Sequence, residues 1–208
     1  MRNRVLSLAL AAALVPVFAV NAAAQEIVGE LPPVSKTRGF SLGAFLNASG
    51  VQVEDSDAEN GIGAGVQVGY GFGQHVTVFF RVTGTSVDSP GNAEDDNYTL
   101  GHADLGARYS FGTFSSKLRP FLGGAFSGRA LSFNLIEGGT LETRGPAFTG
   151  SGGLEYFLSR NFALEAALSI AYGEFNEGRY ENSGWVDLEG DALSSTTSRL
   201  DLGFTWHP

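Results

Sequence analysis

The sequence predicts an all-β fold, an eight-stranded antiparallel up-and-down transmembrane β-barrel, from three observations. First, eight segments alternate between large apolar and small or polar side chains, and a period of two is the pattern of a β-strand. Second, each segment is roughly 10–14 residues long, which exceeds the ~5–6 residues of soluble strands and suits a tilted strand crossing a bilayer. Third, Gly is abundant at 29 of 208 residues and charged residues are only 17%, below the ~25% of soluble domains.

The first four predicted strands lie between Phe40 and Phe111. Their apolar faces comprise Phe40, Leu42, Ala44 and Leu46, then Ile62, Ala64, Val66, Val68, Tyr70 and Phe72, then Val76, Val78, Phe80 and Val82, then Ala103, Leu105, Ala107, Tyr109 and Phe111. The residues between them are small or polar, apart from Phe45 and Phe79. Each strand therefore presents one face to an apolar environment and the other to a polar one.

The last four predicted strands lie between Arg119 and Trp206. Their apolar faces comprise Leu122, Phe126 and Ala130, then Phe148, Leu154 and Tyr156, then Phe162, Leu164, Ala166, Leu168, Ile170 and Tyr172, then Leu200, Leu202, Phe204 and Trp206. The fifth strand, within 119–133, alternates less cleanly than the others. The aromatic residues of these faces fall near the strand ends, where rings are expected at membrane interfaces.

The connections between the predicted strands alternate in length. Residues 73–75, 113–118 and 158–161 are short, whereas 48–60, 87–97, 134–145 and 174–194 are long and polar. Short turns at one end and long loops at the other are typical of bacterial outer-membrane barrels, whose short turns face the periplasm.

Eight charged residues lie within strands, on the faces opposite the large apolar side chains: Arg81, Arg108, Arg129 and Arg199, and Asp104, Glu155, Glu165 and Asp201. A buried charge is costly unless it is paired and hydrogen-bonded, and an eight-stranded barrel is just wide enough for side chains to fill it. The balanced charges therefore predict an interior ion-pair network in a plugged barrel, with Gly63, Gly65 and Gly69 leaving room for it. The alternative is a soluble exported ligand-binding barrel with an apolar core.

The N-terminus carries the features of a cleaved export signal. Arg2 and Arg4 precede an apolar stretch, 5–20, and Ala22–Ala24 supply small residues before the predicted cleavage site. We therefore expect a signal peptide over 1–24, a periplasmic N-terminal lead over 25–37 and an outer-membrane barrel over 38–206. Cleavage would leave 11 of the 13 basic residues against 22 acids, which excludes the basic surface that nucleic acid requires.

Most acidic residues fall in the four long polar segments. Divalent cations that bridge these carboxylates to lipopolysaccharide are one interpretation, and a solvated surface of like charge is the simpler one. The stretch DSDAENG over 55–61 does not match a calcium loop, because Asn60 stands where that motif requires Gly.

The sequence contains no recognisable catalytic or cofactor-binding motif. His102 is two residues from Asp104 on the same face, so the two could pair, but no nucleophile stands in the expected spacing. With no Cys and only three His, we predict no metal centre, no cofactor and no enzymatic activity.

Two stretches carry a family resemblance: LRPFLGGAFSGRA over Leu118–Ala130 and RLDLGFTW over Arg199–Trp206. They resemble strands of the small eight-stranded outer-membrane β-barrels of the OmpX and OmpA-membrane-domain type. The resemblance implies an outer-membrane protein that contacts lipid and lipopolysaccharide, and a final strand read by the barrel-assembly machinery. The chain departs from the family pattern by adding His207 and Pro208 after Trp206.

The functions of this family vary widely, so the resemblance does not fix the role. We expect a monomer with a structural or surface-interaction role, such as adhesion or envelope integrity. A narrow channel or transporter for small solutes is the alternative.

Overall fold

The computed structural model describes residues 35–54, 57–88, 97–113, 115–134, 139–181, 183–188 and 192–208. Its strands are β1 (Gly39–Val53), β2 (Glu59–Gly71), β3 (Val76–Asp88), β4 (Tyr98–Ser110), β5 (Leu118–Asn134), β6 (Thr140–Phe157), β7 (Phe162–Phe175), β8 (Glu177–Tyr180), β9 (Val186–Asp187) and β10 (Leu193–Trp206). The predicted signal peptide and most of the predicted lead lie outside the described residues.

The eight long strands form a closed antiparallel barrel, which confirms the predicted fold class. Strands β1 to β6 each pair with the next strand in sequence. Strand β10 closes the barrel by pairing with both β7 and β1. Its pairing with β7 begins at Leu193↔Phe175, and its pairing with β1 ends at Leu42↔Trp206. The short strand β8 pairs with the N-terminal end of β6, and β9 pairs with β8. Within the described residues, no helix is long and apolar enough to cross a membrane.

The apolar side chains face outward and the charged ones face inward. Every side chain of the predicted apolar faces is exposed or half-buried. Leu164 and Leu202 are 49% and 54% exposed, whereas Arg81 and Glu165 are 6% and 2% exposed. A surface of exposed Leu, Val and Phe this extensive fits lipid rather than water.

The strands reach further into the long polar segments than predicted, and the polarity of the wall reverses there. Inside the barrel, these extensions bury an apolar layer formed by Val51, Val87, Tyr98, Leu100, Leu131 and Phe175. On the outer face at the same level, Gln52, Ser86 and Thr99 are exposed. A polar exterior over an apolar core is the arrangement of a β-structure in water, so this level lies above the lipid-facing zone.

Candidate functional site in the barrel interior

The charged side chains inside the barrel form a chain of ion pairs across the lumen. Arg81 on β3 is central, with Nη1 2.7 Å from Asp201 Oδ2 and Nη2 2.8 Å from Glu165 Oε1. Its Nε donates to Gln67 Oε1 at 2.9 Å. Each nitrogen of this guanidinium therefore has an acceptor, and charge-assisted hydrogen bonds of this length belong to the strong class.

On one side, the chain of ion pairs continues through Asp201 to Arg199 and Asp104. Arg199 Nε lies 3.2 Å from Asp201 Oδ2, and its Nη2 lies 2.8 Å from Asp104 Oδ2. Its Nη1 donates to Thr83 Oγ1 at 3.2 Å. Asp104 is the direct neighbour of Arg81 in the pairing of β3 with β4, yet the ion pairs of both residues run to other strands. The network thus joins distant parts of the wall.

On the other side, the chain continues through Glu165 towards the short-turn end. Arg108 Nη1 lies 2.6 Å from Glu165 Oε2, and its Nη2 lies 3.2 Å from Glu155 Oε1. His207 completes the chain with Nε2 at 3.2 Å from the same Glu155 oxygen, and its ring packs 5.5 Å from that of Phe157. The residue that departs from the family pattern is therefore folded back into the lumen, where it is 2% exposed.

Arg129 is inside the barrel but differs from the prediction that it joins the ion-pair network. Its Nη2 donates to Ser195 Oγ at 2.8 Å and its Nη1 to Thr197 Oγ1 at 3.3 Å. Among the described residues, no carboxylate lies within ion-pair distance of it. The physical reason is its position along the barrel. Arg129 lies next to Leu131 on the same face of β5, so it borders the apolar layer.

Arg119 is a fifth buried Arg that the sequence reasoning left outside the interior set. It lies at the short-turn end, where its Nη1 donates to Thr37 Oγ1 at 3.0 Å and its Nη2 donates to the carbonyl oxygen of Gln74. The signal for it was available, because Arg119 has the same parity as Arg129 along β5. The predicted balance of charge changes accordingly: among the described residues, five Arg and four carboxylates are buried.

Phenyl rings inside the lumen cover the guanidinium groups. The Arg81 guanidinium lies 4.4 Å from the centre of the Phe45 ring, and those of Arg108 and Arg129 each lie 4.9 Å from a ring centre, of Phe121 and Phe175 respectively. Such cation–π contacts are worth about 2 kcal/mol where water is excluded. The large inward-facing Phe residues therefore pack on the charged network, which explains why apolar rings occur on the inner, mostly polar face of the strands.

The described interior has little free space at the level of the ion pairs. A cavity of about 10 Å³ lies there, lined in part by Gln67, Asp104 and Ser169. This volume suits about one water molecule. Several polar atoms around it have no hydrogen-bond partner in the described structure, including Gln67 Nε2 and Asp104 Oδ1.

His102 does not form the hydrogen-bonded pair with Asp104 that the sequence allowed. It faces the lumen and is 3% exposed, but neither ring nitrogen has a hydrogen-bond partner among the described residues. No group of three or more His, Asp or Glu side chains in the described ranges is arranged to hold a metal ion.

These features define the class: a transmembrane β-barrel protein with a lipid-facing apolar wall and a charged interior. A family model described as "Outer membrane protein beta-barrel domain" matches residues 10–204. The chain belongs to this family, and membership implies an outer-membrane location. No curated protein sequence matches the chain significantly.

Several solved structures share this fold. The chain is similar to Neisserial surface protein A (NspA), with a TM-score of 0.65 and 17% identity over 82% of this chain and 97% of that one. It is also similar to Ail, the attachment invasion locus protein of Yersinia pestis, with a TM-score of 0.53 and 13% identity over 81% and 99%. OprG from Pseudomonas aeruginosa gives a TM-score of 0.51 and 13% identity over 85% and 100%. At these identities the similarity establishes the fold.

Proposed function

We propose that this protein is a structural or surface-interaction barrel of the outer membrane whose lumen is plugged by its own side chains. The continuous chain of contacts from His207 to Asp104, a hydrogen bond followed by ion pairs, carries the proposal. A permeating solute would have to separate several buried pairs, and breaking one such pair costs about 3–5 kcal/mol. The proposal includes no catalytic activity.

Two further layers support a closed lumen. Towards the long loops, Val51, Leu100 and Phe175 belong to the apolar layer above the ion pairs. Towards the short turns, Arg119 binds Thr37 and the Gln74 carbonyl across the opening. An ion that entered from either side would lose its hydration at one of these layers, and each unsatisfied contact would be unfavourable.

Planar-bilayer conductance tests the plugged lumen. We expect the purified protein to give no steady single-channel current, whereas a known open porin in the same bilayer gives one. A matched pair of variants sharpens the experiment: Arg81→Ala opens the centre of the network, and Arg144→Ala removes an exposed guanidinium outside it. Steady, large conductance by the wild-type protein would refute the plug and favour the narrow channel or transporter for small solutes.

A surface role is supported by a fixed cluster near the long loops. The ring of Trp185 lies between two guanidinium groups, 4.0 Å from that of Arg144 and 4.6 Å from that of Arg179. The two Arg also pair with Glu177 and Glu142 respectively. Ion pairs and ring contacts together hold β8 and the segment around Trp185 in one arrangement, as a recognition surface requires.

The charge of the loops bears on which partner this surface takes. Ail has been solved in complex with the heparin analogue sucrose octasulfate, a polyanion. The acidic long loops of the present chain repel such a ligand, so we propose a neutral or cationic partner. Binding of intact cells to heparin-coated and polycation-coated surfaces tests this: preferential binding to heparin would contradict it.

We also propose that the protein is a monomer that contacts lipopolysaccharide and is inserted by the barrel-assembly machinery through its final strand. Divalent cations between the loop carboxylates and lipopolysaccharide belong to the same proposal. Size-exclusion chromatography with light scattering in detergent, with Mg²⁺ or with a chelator, tests the first part. A dimer would contradict it.

A further inference from the structure

We propose that the lumen contains a binding site for a small inorganic anion, a halide such as chloride, between Arg129 and His102. Among the described residues, Arg129 has no carboxylate partner, and the ring of His102 has no hydrogen-bond partner. The proposal does not depend on whether the barrel is plugged or on its partner at the surface.

The register brings the two side chains together. His102 on β4 and Arg129 on β5 are direct partners in the antiparallel pairing, and both face the lumen. Directly opposed residues of such a pair have Cβ atoms about 4.5–5.5 Å apart. A small ion between the two side chains can therefore contact both.

The hydrogen-bond donors at this position are unused. Arg129 Nε and both ring nitrogens of His102 are buried and have no partner among the described residues. A neutral imidazole carries one N–H and a guanidinium keeps its charge under all ordinary conditions. Arg129 Nε and His102 thus offer two donors and one full positive charge to a single acceptor.

The charge at this position is uncompensated. Arg129 is 2% exposed, and the two side chains that accept its Nη hydrogen bonds, Ser195 and Thr197, are neutral hydroxyls. A buried charge without a counter-charge is strongly unfavourable. An anion would supply that counter-charge, and with the four buried carboxylates it would equal the five buried Arg of the described interior.

Thermal stability in two salts tests the site. The full chain is refolded in chloride or in the same concentration of gluconate, a much larger organic anion. The temperature at which half of the protein changes its mobility on an electrophoresis gel is then measured. We expect chloride to raise the wild-type midpoint by about 5 °C, with saturation. Arg129→Met should lose this rise, and Arg160→Met, a variant of an exposed Arg at the short-turn end, should keep it.

In the thermal experiment, two results overturn the proposal: a wild-type midpoint that is equal in the two salts, or an equal chloride-dependent rise in Arg129→Met. If Arg129→Met does not fold, His102→Phe replaces it, because Phe has a similar shape and no donor. Crystals of the wild-type protein grown in bromide give an independent answer. An anomalous peak within about 3.5 Å of Arg129 Nε supports the site, and a map without one contradicts it.

Discussion

Glu155 and Glu165 lie directly opposite each other on β6 and β7, and the guanidinium of Arg108 bridges the two carboxylates. Like charges directly opposite in a sheet are destabilising. This pair is fully inside the barrel, where neither side chain has measurable exposure. Arg108 therefore offsets the repulsion between the two carboxylates and links both of them to the ion-pair network.

Replacement of Arg108 should be among the most damaging changes to the interior. Arg108→Met leaves Glu155 and Glu165 facing each other without their shared cation, and we expect a loss of about 3–5 kcal/mol in the free energy of unfolding. Urea unfolding in detergent measures it. Adding Glu155→Gln to Arg108→Met should recover part of the loss, because Gln removes the second carboxylate and keeps an acceptor for His207. A double variant no more stable than Arg108→Met would contradict this account of the repulsion.

His207 should stabilise the barrel from its C-terminal end. His207→Ala removes the hydrogen bond to Glu155 and the packing on Phe157, so we expect a loss of about 1–3 kcal/mol. His75→Ala is the matched control, because it also removes one hydrogen bond, to the Ser110 carbonyl, and one ring contact, with Tyr109, but at a half-buried position in a short turn. The same urea experiment compares the two variants, and an equal effect would argue against a special role for His207.

The reversal of polarity along the wall predicts where a charge is tolerated. Leu202→Arg places a cation in the lipid-facing zone, which costs about 2–4 kcal/mol near the middle of the bilayer. Gln52→Arg places one on the outer face beside the apolar layer, above that zone, and should have little effect. Folding yield into lipid vesicles reports both, and a similar loss for the two variants would place the membrane boundary elsewhere.

Close approach of the neighbouring strand explains Gly63 of β2. We interpreted Gly63 as leaving room for charged side chains, but a Cβ added there would lie 2.0 Å from the carbonyl oxygen of Gly84. Gly63→Ala should therefore force β2 and β3 apart and reduce the folding yield. Gly150→Ala is the control, because a Cβ there meets nothing within 4 Å. Normal folding of Gly63→Ala would contradict this reason.

The alternation in the sequence was sufficient to predict the fold and the faces. A period of two identifies the inner side of each strand, which is why residues as far apart as Arg81 and Asp201 could be assigned to one interior. It cannot identify partners across the lumen, since these depend on the stagger of the closed barrel. Arg81 therefore pairs with Asp201 and Glu165, although Asp104 is its neighbour in the sheet.

The apolar layer and the C-terminal contact were missed for a different reason. Apolar residues such as Leu100 and Leu131 occupy inner positions beyond the membrane, so the rule that inner positions are polar fails where lipid ends. The contact of His207 with Glu155 joins residues 52 positions apart, and nothing local in the sequence predicts it.

The central claim is that lipid contacts the large apolar side chains while the charged side chains fill the lumen, and site-directed spin labelling tests it most directly. The chain has no Cys, so single cysteines at Ile170 and Ser169, adjacent on β7 and 53% and 3% exposed, can be labelled without background. In lipid vesicles, the label at Ile170 should be accessible to oxygen and protected from a water-soluble nickel complex. The label at Ser169 should be immobile and protected from both. Free access of the nickel complex to Ser169, with Ile170 shielded from oxygen, would contradict the account.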